Sequence, residues 1–283
     1  MEGIIAGRKK RMLTPLKKLA LKIRIAQLEE FKARGFGHIG GALSITDCLA
    51  ALYGEIMKFD PKNPDWEDRD RLVMSKGHAG PALYATLALM GYFPMDMLKT
   101  LNANGTHLPS HCDKNLTPGI DMTTGSLGQG ASTAAGLALG LKAQKKDARV
   151  YLILGDGESQ EGQVWEMALF APQHKLNNFI AFLDNNKRQL DGYTSEICSI
   201  EPVDEKFKAF GWYTLRIDGS DPDKIVEAVN DAKANQGDKP AMIILDTVKG
   251  AGVKAIEDTK LNHHLNVGDE ALEYIAALKA QLG

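Results

Sequence analysis

The sequence predicts an α/β fold in which a doubly wound parallel sheet is covered by helices on both faces. Three observations support this prediction: short aliphatic and β-branched runs recur in the second half, helical patterns separate them, and polar clusters directly follow two of them. Strands that alternate with helices in this way form parallel sheets whose two faces are buried. At 283 residues and 44% hydrophobic, the chain can bury such a core.

The first half of the chain is predicted to be helical and then irregular. An amphipathic helix begins at Thr14-Pro15, because apolar residues recur at helical spacing through the Lys-rich segment that follows. Further helices are predicted over residues 44–57 and 80–90. A loop-rich region dense in Gly, Pro, Thr and Asn then runs over 93–130. Such long loops usually carry function in compact domains.

The second half is predicted to alternate strands with helices. The strands are expected over residues 149–154, 178–183, 212–217 and 241–245. The helices are expected over residues 163–174, 223–234 and 270–282. No repeat, low-complexity tract or linker divides the chain. Residues 14–283 are therefore predicted to form one domain after an N-terminal extension, residues 1–13.

Composition limits the classes of function. The formal charge of -2 comes from nearly balanced acids and bases, so no overall field recruits nucleic acid or an anionic membrane. The apolar runs are strand-sized, and the first thirty residues lack a secretory signal. The spacing of Cys48, Cys112 and Cys198 suits neither a disulfide framework nor a zinc knuckle and indicates reduced thiols. A soluble, cytoplasmic protein without nucleic-acid or membrane partners is expected.

Polar clusters, GDG and DNN, follow two of the predicted strands. If these strands are parallel neighbours, Asp156 and Asn186 lie side by side at the carboxyl edge of the sheet, where ligands enter open α/β folds. A carboxylate, an amide oxygen and a main-chain carbonyl suit Mg²⁺ or Ca²⁺, with water and phosphate oxygens completing the shell. Each cluster alone is an ordinary turn or loop. Paired across one βαβ unit, they predict a metal site for a phosphorylated ligand.

The GDG cluster and the following Asn-containing strand end resemble the thiamine diphosphate motif. Further motifs occur in the order seen in transketolases: RGFGHIGGALS, DRDRLVMSKGHAGPALYATLALMGY, GTHLPSHCDK, TTGSLGQG, GDGESQEG and DTVKGAGV. From about Leu16 onward, the chain resembles the N-terminal half of a transketolase. The resemblance implies a thiamine diphosphate-binding fold of the type that holds the diphosphate (the PP domain). It also implies transfer of a two-carbon ketol unit from a ketose or ketose phosphate to an aldose or aldose phosphate.

The resemblance also implies roles for particular residues. Asp156, Asn186 and the main-chain carbonyl of Arg188 would hold the metal ion. The residues expected to bind the cofactor are His38, His78, Gly125, Leu127, Asp156, Gly157, Glu161, Asn186 and His263. His78 would hydrogen-bond the diphosphate, and Glu161 matches an acid that links paired active sites through protons.

Histidines suit ketol transfer because sugar alkoxides must gain and lose protons near neutral pH. The catalytic set implied by the resemblance is His38, His78, His111, His263 and Glu161. Either His263 or His264 would touch both diphosphate and substrate, and the spacing to the following Gly-Asp pair favours His263. Four positions depart from the family pattern, and they are expected to reshape the pocket wall and leave the substrate open: Phe36, Ile39, Cys112 and Ser126.

A full-length transketolase continues into a second domain, which binds the aminopyrimidine ring and supplies the glutamate that activates the cofactor. No segment of this sequence matches that domain. The resemblance therefore implies one subunit of a split transketolase, completed by a C-terminal, pyrimidine-binding subunit. Two copies of each chain are expected to form a heterotetramer. The phosphate-binding arginines of the family lie on that other half.

Three alternatives compete with a transketolase subunit. The α chain of a 2-oxo acid dehydrogenase E1 also carries GDG followed by Gly-Gln-Val-x-Glu, which GDGESQEGQVWE fits, whereas GHIGG, SKGHAG and TTGSLGQG favour ketol transfer. A non-catalytic thiamine diphosphate-binding protein has no use for several histidines around the reacting carbon. A metal-dependent phosphohydrolase would use Asp156 as its nucleophile.

Overall fold

The computed structural model describes residues 13–282, so nearly all of the predicted extension, residues 1–13, lies outside the described residues. The strands are β1 (Phe36–Gly37), β2 (Arg71–Met74), β3 (Val150–Gly155), β4 (Phe179–Asn185), β5 (Tyr213–Asp218), β6 (Ala241–Asp246) and β7 (Leu265–Asn266). The α-helices are α1 (Pro15–Arg34), α2 (Ile39–Ser44), α3 (Thr46–Ala51), α4 (Gly80–Met90), α5 (Gln129–Ala143), α6 (Gly162–Gln173), α7 (Thr194–Ile197), α8 (Val203–Phe210), α9 (Pro222–Asn235), α10 (Lys254–Glu257) and α11 (Glu270–Leu282).

A parallel sheet of five strands forms the centre of the fold, in the order β2-β3-β4-β6-β5. β3 and β4 are direct neighbours, and Gly155 lies opposite Asp184 in their register. The predicted arrangement is therefore confirmed: the segments that carry Asp156 and Asn186 leave adjacent strands at the same edge of the sheet.

Both faces of the sheet are covered, as predicted for a doubly wound fold. Alternate residues of β3 point to opposite sides, so Tyr151 and Ile153 belong to one core and Leu152 and Leu154 to the other. The first core also contains apolar residues of α1, α3, α4, α9 and α11. The second contains those of α5, α6 and α8. All six residues of β3 are buried, which explains the continuous apolar run in the sequence.

The structure differs from the predicted elements in several places. The helix predicted over 44–57 begins instead at Ile39 and is divided into α2, α3 and a π-helical turn, Leu52–Ile56. β2, α5 and α8 were not predicted. β2 has only four residues between charged segments, and α5 is built mainly from Ala and Gly, so neither shows a clear apolar period. The loop-rich region is confirmed; it contains one short 3-10 helix, Met95–Thr100, and ends at α5.

Two glycines, Gly35 and Gly37, determine how the chain leaves α1 and enters β1. α1 begins after Thr14, as predicted, and the Thr14 hydroxyl accepts a hydrogen bond from the Lys17 amide at 3.3 Å. It ends at Gly35, whose φ of 87° is left-handed. A side chain at Gly37 would overlap the Phe31 ring. The chain then pairs as β1 with β7 in a two-stranded antiparallel ribbon beside the main sheet.

Within residues 13–282, no helix combines the length and the apolar character needed to cross a membrane.

Candidate active site

A cavity of about 350 Å³ opens at the carboxyl ends of β3 and β4. Every residue that the sequence analysis assigned to catalysis, cofactor or metal lines this cavity: His38, His78, His111, Gly125, Leu127, Asp156, Gly157, Glu161, Asn186, Arg188 and His263. These residues come from segments spread over most of the chain. The sheet edge and the long loops therefore bring together one polar, histidine-rich site.

The Asp156 carboxyl group is poised to receive a cation. Its Oδ1 accepts a hydrogen bond from the Gly157 amide at 2.8 Å, while its buried Oδ2 has no hydrogen-bond partner among residues 13–282. Burial, with a contribution from the nearby Asp184 carboxylate, raises the pKa of Asp156 to about 7. A buried carboxylate oxygen without a donor is costly unless a cation compensates it. The group therefore fits a divalent metal ion, whose charge would favour the ionised form.

The Asn186 side chain is held in one orientation. Its Nδ2 donates to Asp184 Oδ2 at 2.9 Å, and its Oδ1 accepts from the Arg188 amide at 3.1 Å. An amide oxygen has two lone pairs, so Oδ1 keeps one of them for a ligand. The Arg188 carbonyl, the third predicted oxygen, accepts from Lys249 Nζ at 3.3 Å.

A buried ion pair between Lys76 and Asp184 lies next to Asn186, and the sequence did not predict it. The Lys76 ammonium donates to Asp184 and, at 2.8 Å, to the Gly41 carbonyl. Asp184 also accepts hydrogen bonds from the Ser44 and Thr247 hydroxyls. Burial alone would raise the pKa of Asp184, but the Lys76 ammonium and the hydrogen bonds outweigh burial and hold the pKa below its ordinary value.

Glu158 connects its own segment at the end of β3 with two other loops around the cavity. Its Oε1 accepts from the Ser75 hydroxyl at 2.5 Å and from the Gly128 amide at 2.9 Å, and its Oε2 accepts from the Gly155 amide at 3.1 Å. These partners belong to the SKGHAG, TTGSLGQG and GDGESQEG segments. All three groups donate, so both oxygens of the buried carboxylate are satisfied. Sequence patterns do not reveal such a role, because the partners are mainly backbone amides.

Two glycines allow close approach of the loops. A Cβ at Gly157 would lie 2.6 Å from Gln189 Cβ, so the missing side chain lets the 186–191 segment approach the GDG turn. Gly125 has φ of 142°, a conformation that other residues rarely adopt, and a Cβ there would lie 3.0 Å from the His111 ring. The cavity wall at both places consists of backbone.

Four histidines gather around His38. The distances between its ring centroid and those of His78, His111, His263 and His264 are 5.7, 5.5, 5.3 and 5.0 Å, respectively. Burial, followed by the neighbouring His111, His264 and Lys249 charges, lowers the pKa of His38 to about 4. Burial also lowers the pKa of His78 and of His111. These three imidazoles are therefore neutral at neutral pH and can each both donate and accept a hydrogen bond.

The structure distinguishes His263 from His264. His263 lines the cavity, with its Nδ1 3.1 Å from Lys249 Nζ, whereas His264 is exposed and packs against the Phe36 ring. Burial and the Lys249 ammonium lower the pKa of His263 to about 3. Lys249 was missed by the sequence analysis; it is buried in the cavity wall, and burial is the main reason that its pKa is lowered to about 8.

The four departures from the family pattern do not line the cavity, contrary to the expectation that they reshape its wall. Ile39 and Cys112 are buried in the hydrophobic core, where apolar packing accounts for them. Ser126 is exposed, and Phe36 stands beside the cavity next to His264.

Comparison with known proteins places this site in a family. The model of the family described as "Transketolase, thiamine diphosphate binding domain" matches residues 16–283. The chain belongs to the transketolase family. It corresponds to the N-terminal, thiamine diphosphate-binding part of these enzymes, so neither the E1 α chain nor the phosphohydrolase is favoured.

Individual transketolases show two chain lengths. The 6-deoxy-6-sulfo-D-fructose transketolase subunit SqwG of Clostridium sp. (strain MSTE9) is 55% identical over 88% of this chain and 90% of the relative. A subunit of the apulose-4-phosphate transketolase of Actinobacillus succinogenes is 38% identical over 92% of this chain and 94% of the relative. The solved transketolase from Leishmania mexicana has a TM-score of 0.87 and 33% identity, over 96% of this chain but 42% of that one.

Proposed function

We propose that this chain is the N-terminal subunit of a split transketolase, a glycolaldehyde transferase that moves a two-carbon ketol unit from a ketose to an aldose. One observation carries the proposal: four neutral or largely neutral imidazoles, those of His38, His78, His111 and His263, meet in one cavity beside a carboxyl oxygen that lacks a partner among residues 13–282. Proton transfer to and from sugar hydroxyls requires such groups.

The residues at the sheet edge would hold the metal ion and the diphosphate of thiamine diphosphate. Asp156, Asn186 and the Arg188 carbonyl offer oxygen ligands that suit Mg²⁺, with Ca²⁺ as the alternative. The backbone at Gly157 and Gly125 leaves room for phosphate oxygens, and the exposed Leu127 side chain offers an apolar contact. The remaining cofactor-binding groups would be His38, His78, Glu161 and His263.

The histidines would position the sugar and move its protons. Thiamine diphosphate, when bound, supplies the carbanion chemistry that carries the ketol unit. His38 and His111 would bind substrate hydroxyls, whereas His78 and His263, whose ring centroids are 4.8 Å apart, would bind the diphosphate and the hydroxyl next to it. Glu161 lies exposed at the start of α6, where it would exchange protons with a second active site across a subunit contact.

A separate partner chain is part of the proposal. The two relatives named as subunits are matched over 90% and 94% of their own length. This agreement in length supports a subunit that consists of one PP domain, residues 14–283. We propose a C-terminal subunit that binds the pyrimidine ring, in a heterotetramer with two copies of each chain. The free thiols of Cys48, Cys112 and Cys198 support a reducing, cytoplasmic location.

The proposed donor is a ketose with an anionic end. The substrates in the names of the two subunit relatives carry a sulfonate and a phosphate, respectively. Because the sulfosugar relative is 55% identical, 6-deoxy-6-sulfofructose is the first donor to test, followed by ketose phosphates.

The test is to tag this chain in its native cells, identify copurifying chains by mass spectrometry, and assay the complex for ketol transfer. A stoichiometric second chain and activity that requires both a divalent metal and thiamine diphosphate would support the proposal. A solitary, inactive chain would overturn it in favour of a cofactor-binding protein. Oxidative decarboxylation of a 2-oxo acid without ketol transfer would instead indicate an E1 component.

A pair of variants tests the metal site directly. Asp156→Ala should abolish metal-dependent binding of thiamine diphosphate, measured by calorimetry. Asp191→Ala is the matched control, because Asp191 also lines the cavity but is exposed. Equal binding by both variants would contradict the assignment of Asp156, and a phosphorylated Asp156 would indicate a phosphohydrolase nucleophile.

A further inference from the structure

Lys249 joins two parts of the cavity wall. Its Nζ lies 3.1 Å from His263 Nδ1, and it donates to the main-chain carbonyls of Arg188 and Gln189 at 3.3 and 3.4 Å, respectively. All four residues line the cavity, and only 3% of Lys249 is exposed. A lysine ammonium has three N–H bonds and no lone pair, so these three partners use all of its donors.

This geometry decides which nitrogen of His263 carries the proton. The ammonium can only donate, so His263 Nδ1 must accept. The imidazole is neutral at neutral pH, because burial and the Lys249 ammonium lower its pKa to about 3. A neutral imidazole has a single N–H, which therefore lies on Nε2. Among residues 13–282, Lys249 is the only hydrogen-bond partner of this ring, so the Nε2 N–H is left for a ligand.

A buried frame holds Lys249 and His263 in this relation. Asn262, which precedes His263, is 1% exposed, and its Nδ2 donates to the Lys249 carbonyl at 2.8 Å. The Gly40 amide donates to the Asn262 carbonyl at 3.1 Å, and the Gly40 carbonyl accepts from the Gly250 amide at 3.0 Å. A side chain at Gly40 would overlap the Asn262 carbonyl. The backbone on both sides of the pair is therefore fixed, as precise orientation of a side chain requires.

We infer that Lys249 is a positioning residue, which holds His263 in the tautomer with the proton on Nε2 and ties this ring to the segment that carries the Arg188 carbonyl. The tautomer follows from the cavity alone, whereas its consequence rests on the proposed function and deepens it. The lone pair of Nδ1 is taken by Lys249, and Nε2 carries the proton. His263 would therefore donate a hydrogen bond to a diphosphate or sugar oxygen. Removal of a proton from the sugar would belong to other histidines of the cavity.

Nuclear magnetic resonance of the full chain tests the tautomer. Histidine labelled with nitrogen-15 in the ring, in a two-bond proton–nitrogen correlation spectrum at pH 7.5, shows which nitrogen is protonated. The signals of His263 and His107 are assigned by their loss in His263→Gln and His107→Gln. His263 should show a protonated Nε2. His107 is the opposite reference, because its Nδ1 lies 3.0 Å from the Leu116 carbonyl, which can only accept.

A pair of lysine variants tests the cause. Lys249→Met removes the donors and keeps an unbranched side chain, so the two nitrogen signals of His263 should move toward each other as both tautomers become populated. Lys254→Met is the matched control, because Lys254 is exposed and pairs with Asp258 at 2.6 Å. It should leave the His263 signals unchanged. If Lys249→Met does not fold, the wild-type spectrum still decides the tautomer.

Binding of thiamine diphosphate to the complete complex, measured by calorimetry with Mg²⁺, provides a second readout. Lys249→Met should raise the Kd by about three- to tenfold, the size of one ordinary hydrogen bond. The same substitution in a His263→Gln background should have a smaller effect, because its action passes through that ring. An equal loss in both backgrounds would show that the Lys249 charge acts on the cofactor directly, and the positioning role would be wrong.

Two spectra would also overturn the inference. A wild-type His263 with its proton on Nδ1 would contradict the assigned tautomer, and unchanged His263 signals in Lys249→Met would show that Lys249 does not set it. The proposed function fails separately: a wild-type complex that does not bind thiamine diphosphate would overturn it, while the spectra would still decide the tautomer.

Discussion

Lys76 and Asp184 form an ion pair across the sheet, with 1% and 0% of their side chains exposed, respectively. Lys76 follows β2 and Asp184 lies in β4, so the pair spans the strand between them. Lys76→Met should destabilise the protein by about 3–5 kcal/mol, because a buried carboxylate is left without its counter-ion. Urea unfolding at pH 7.5 measures the loss.

A double variant and a pH series check this explanation. Lys76→Met with Asp184→Asn should recover part of the stability, because neither variant position then carries a charge. The lowered pKa of Asp184 stabilises the fold above the unfolded value of 3.8, and this contribution is lost as the pH falls through the folded pKa. The deficit of Lys76→Met should therefore shrink in strong acid. A deficit independent of pH would point to lost packing instead.

Gly157→Ala tests the close approach of two loops. The added Cβ would lie 2.6 Å from Gln189 Cβ, so the 186–191 segment must move and carry Asn186 and the Arg188 carbonyl with it. We expect about 10- to 100-fold weaker metal-dependent binding of thiamine diphosphate, as for other losses of ligand support. Gly162→Ala is the control, because a Cβ there meets no atom within 4 Å. Similar binding by the two variants would show that the loops need not be so close.

Glu30→Met should stabilise the protein at neutral pH. Glu30 is fully buried, and neither carboxyl oxygen has a hydrogen-bond partner among residues 13–282. Burial raises the pKa of Glu30 well above its ordinary value of 4.5, so the folded protein keeps the proton that the unfolded chain releases. The cost therefore grows as the pH rises above 4.5 toward the folded pKa. We expect a gain of about 1–3 kcal/mol from replacing the unsatisfied group.

The pH dependence of this gain is the measurement. Thermal unfolding at pH 5 and pH 8 should show a larger gain for Glu30→Met at pH 8. Glu29→Met is the neighbouring control, because Glu29 is exposed and forms a surface ion pair with Lys279 at 3.3 Å. A gain that is the same at both pH values would mean that Glu30 does not stay protonated in the fold.

His38→Gln should make the cofactor-free protein less sensitive to acid. The folded pKa of about 4 lies below the ordinary value of 6.5, so the unfolded chain binds a proton first as the pH falls. Stability is therefore lost between pH 6.5 and pH 4, at up to about 1.4 kcal/mol per pH unit for one group, and less for a partly exposed one. Unfolding measured from pH 7 to pH 4.5 should show a shallower slope in the variant.

Much of the fold was predictable because its signals are local. The runs that became β3, β4, β5 and β6 were located to within two residues, and α11 was located at both ends. β2 was missed because its assignment depends on pairing with β3, far away in sequence. α5 was missed because Ala and Gly form a helix face without a strong apolar stripe.

In the candidate site too, residues with a local sequence signal were predicted, and residues whose role depends on distant contacts were missed. Asp156 and Asn186 follow strands, so topology alone predicted that they lie together. Lys76 and Lys249 were missed, because a lysine in a sequence is usually a surface residue and only the fold shows that these two are buried. For the two adjacent histidines, the spacing to the following Gly-Asp pair favoured His263, and the structure shows that His263 lines the cavity whereas His264 is exposed.

The SKGHAG and TTGSLGQG segments both donate to Glu158, so they cannot loosen independently of each other. Opening the SKGHAG or the TTGSLGQG segment removes a donor from this carboxylate and leaves the other donors with a newly hydrated acceptor. These segments should therefore open together. In hydrogen exchange, the amides of Gly128 and Gly155 should therefore open with a shared rate.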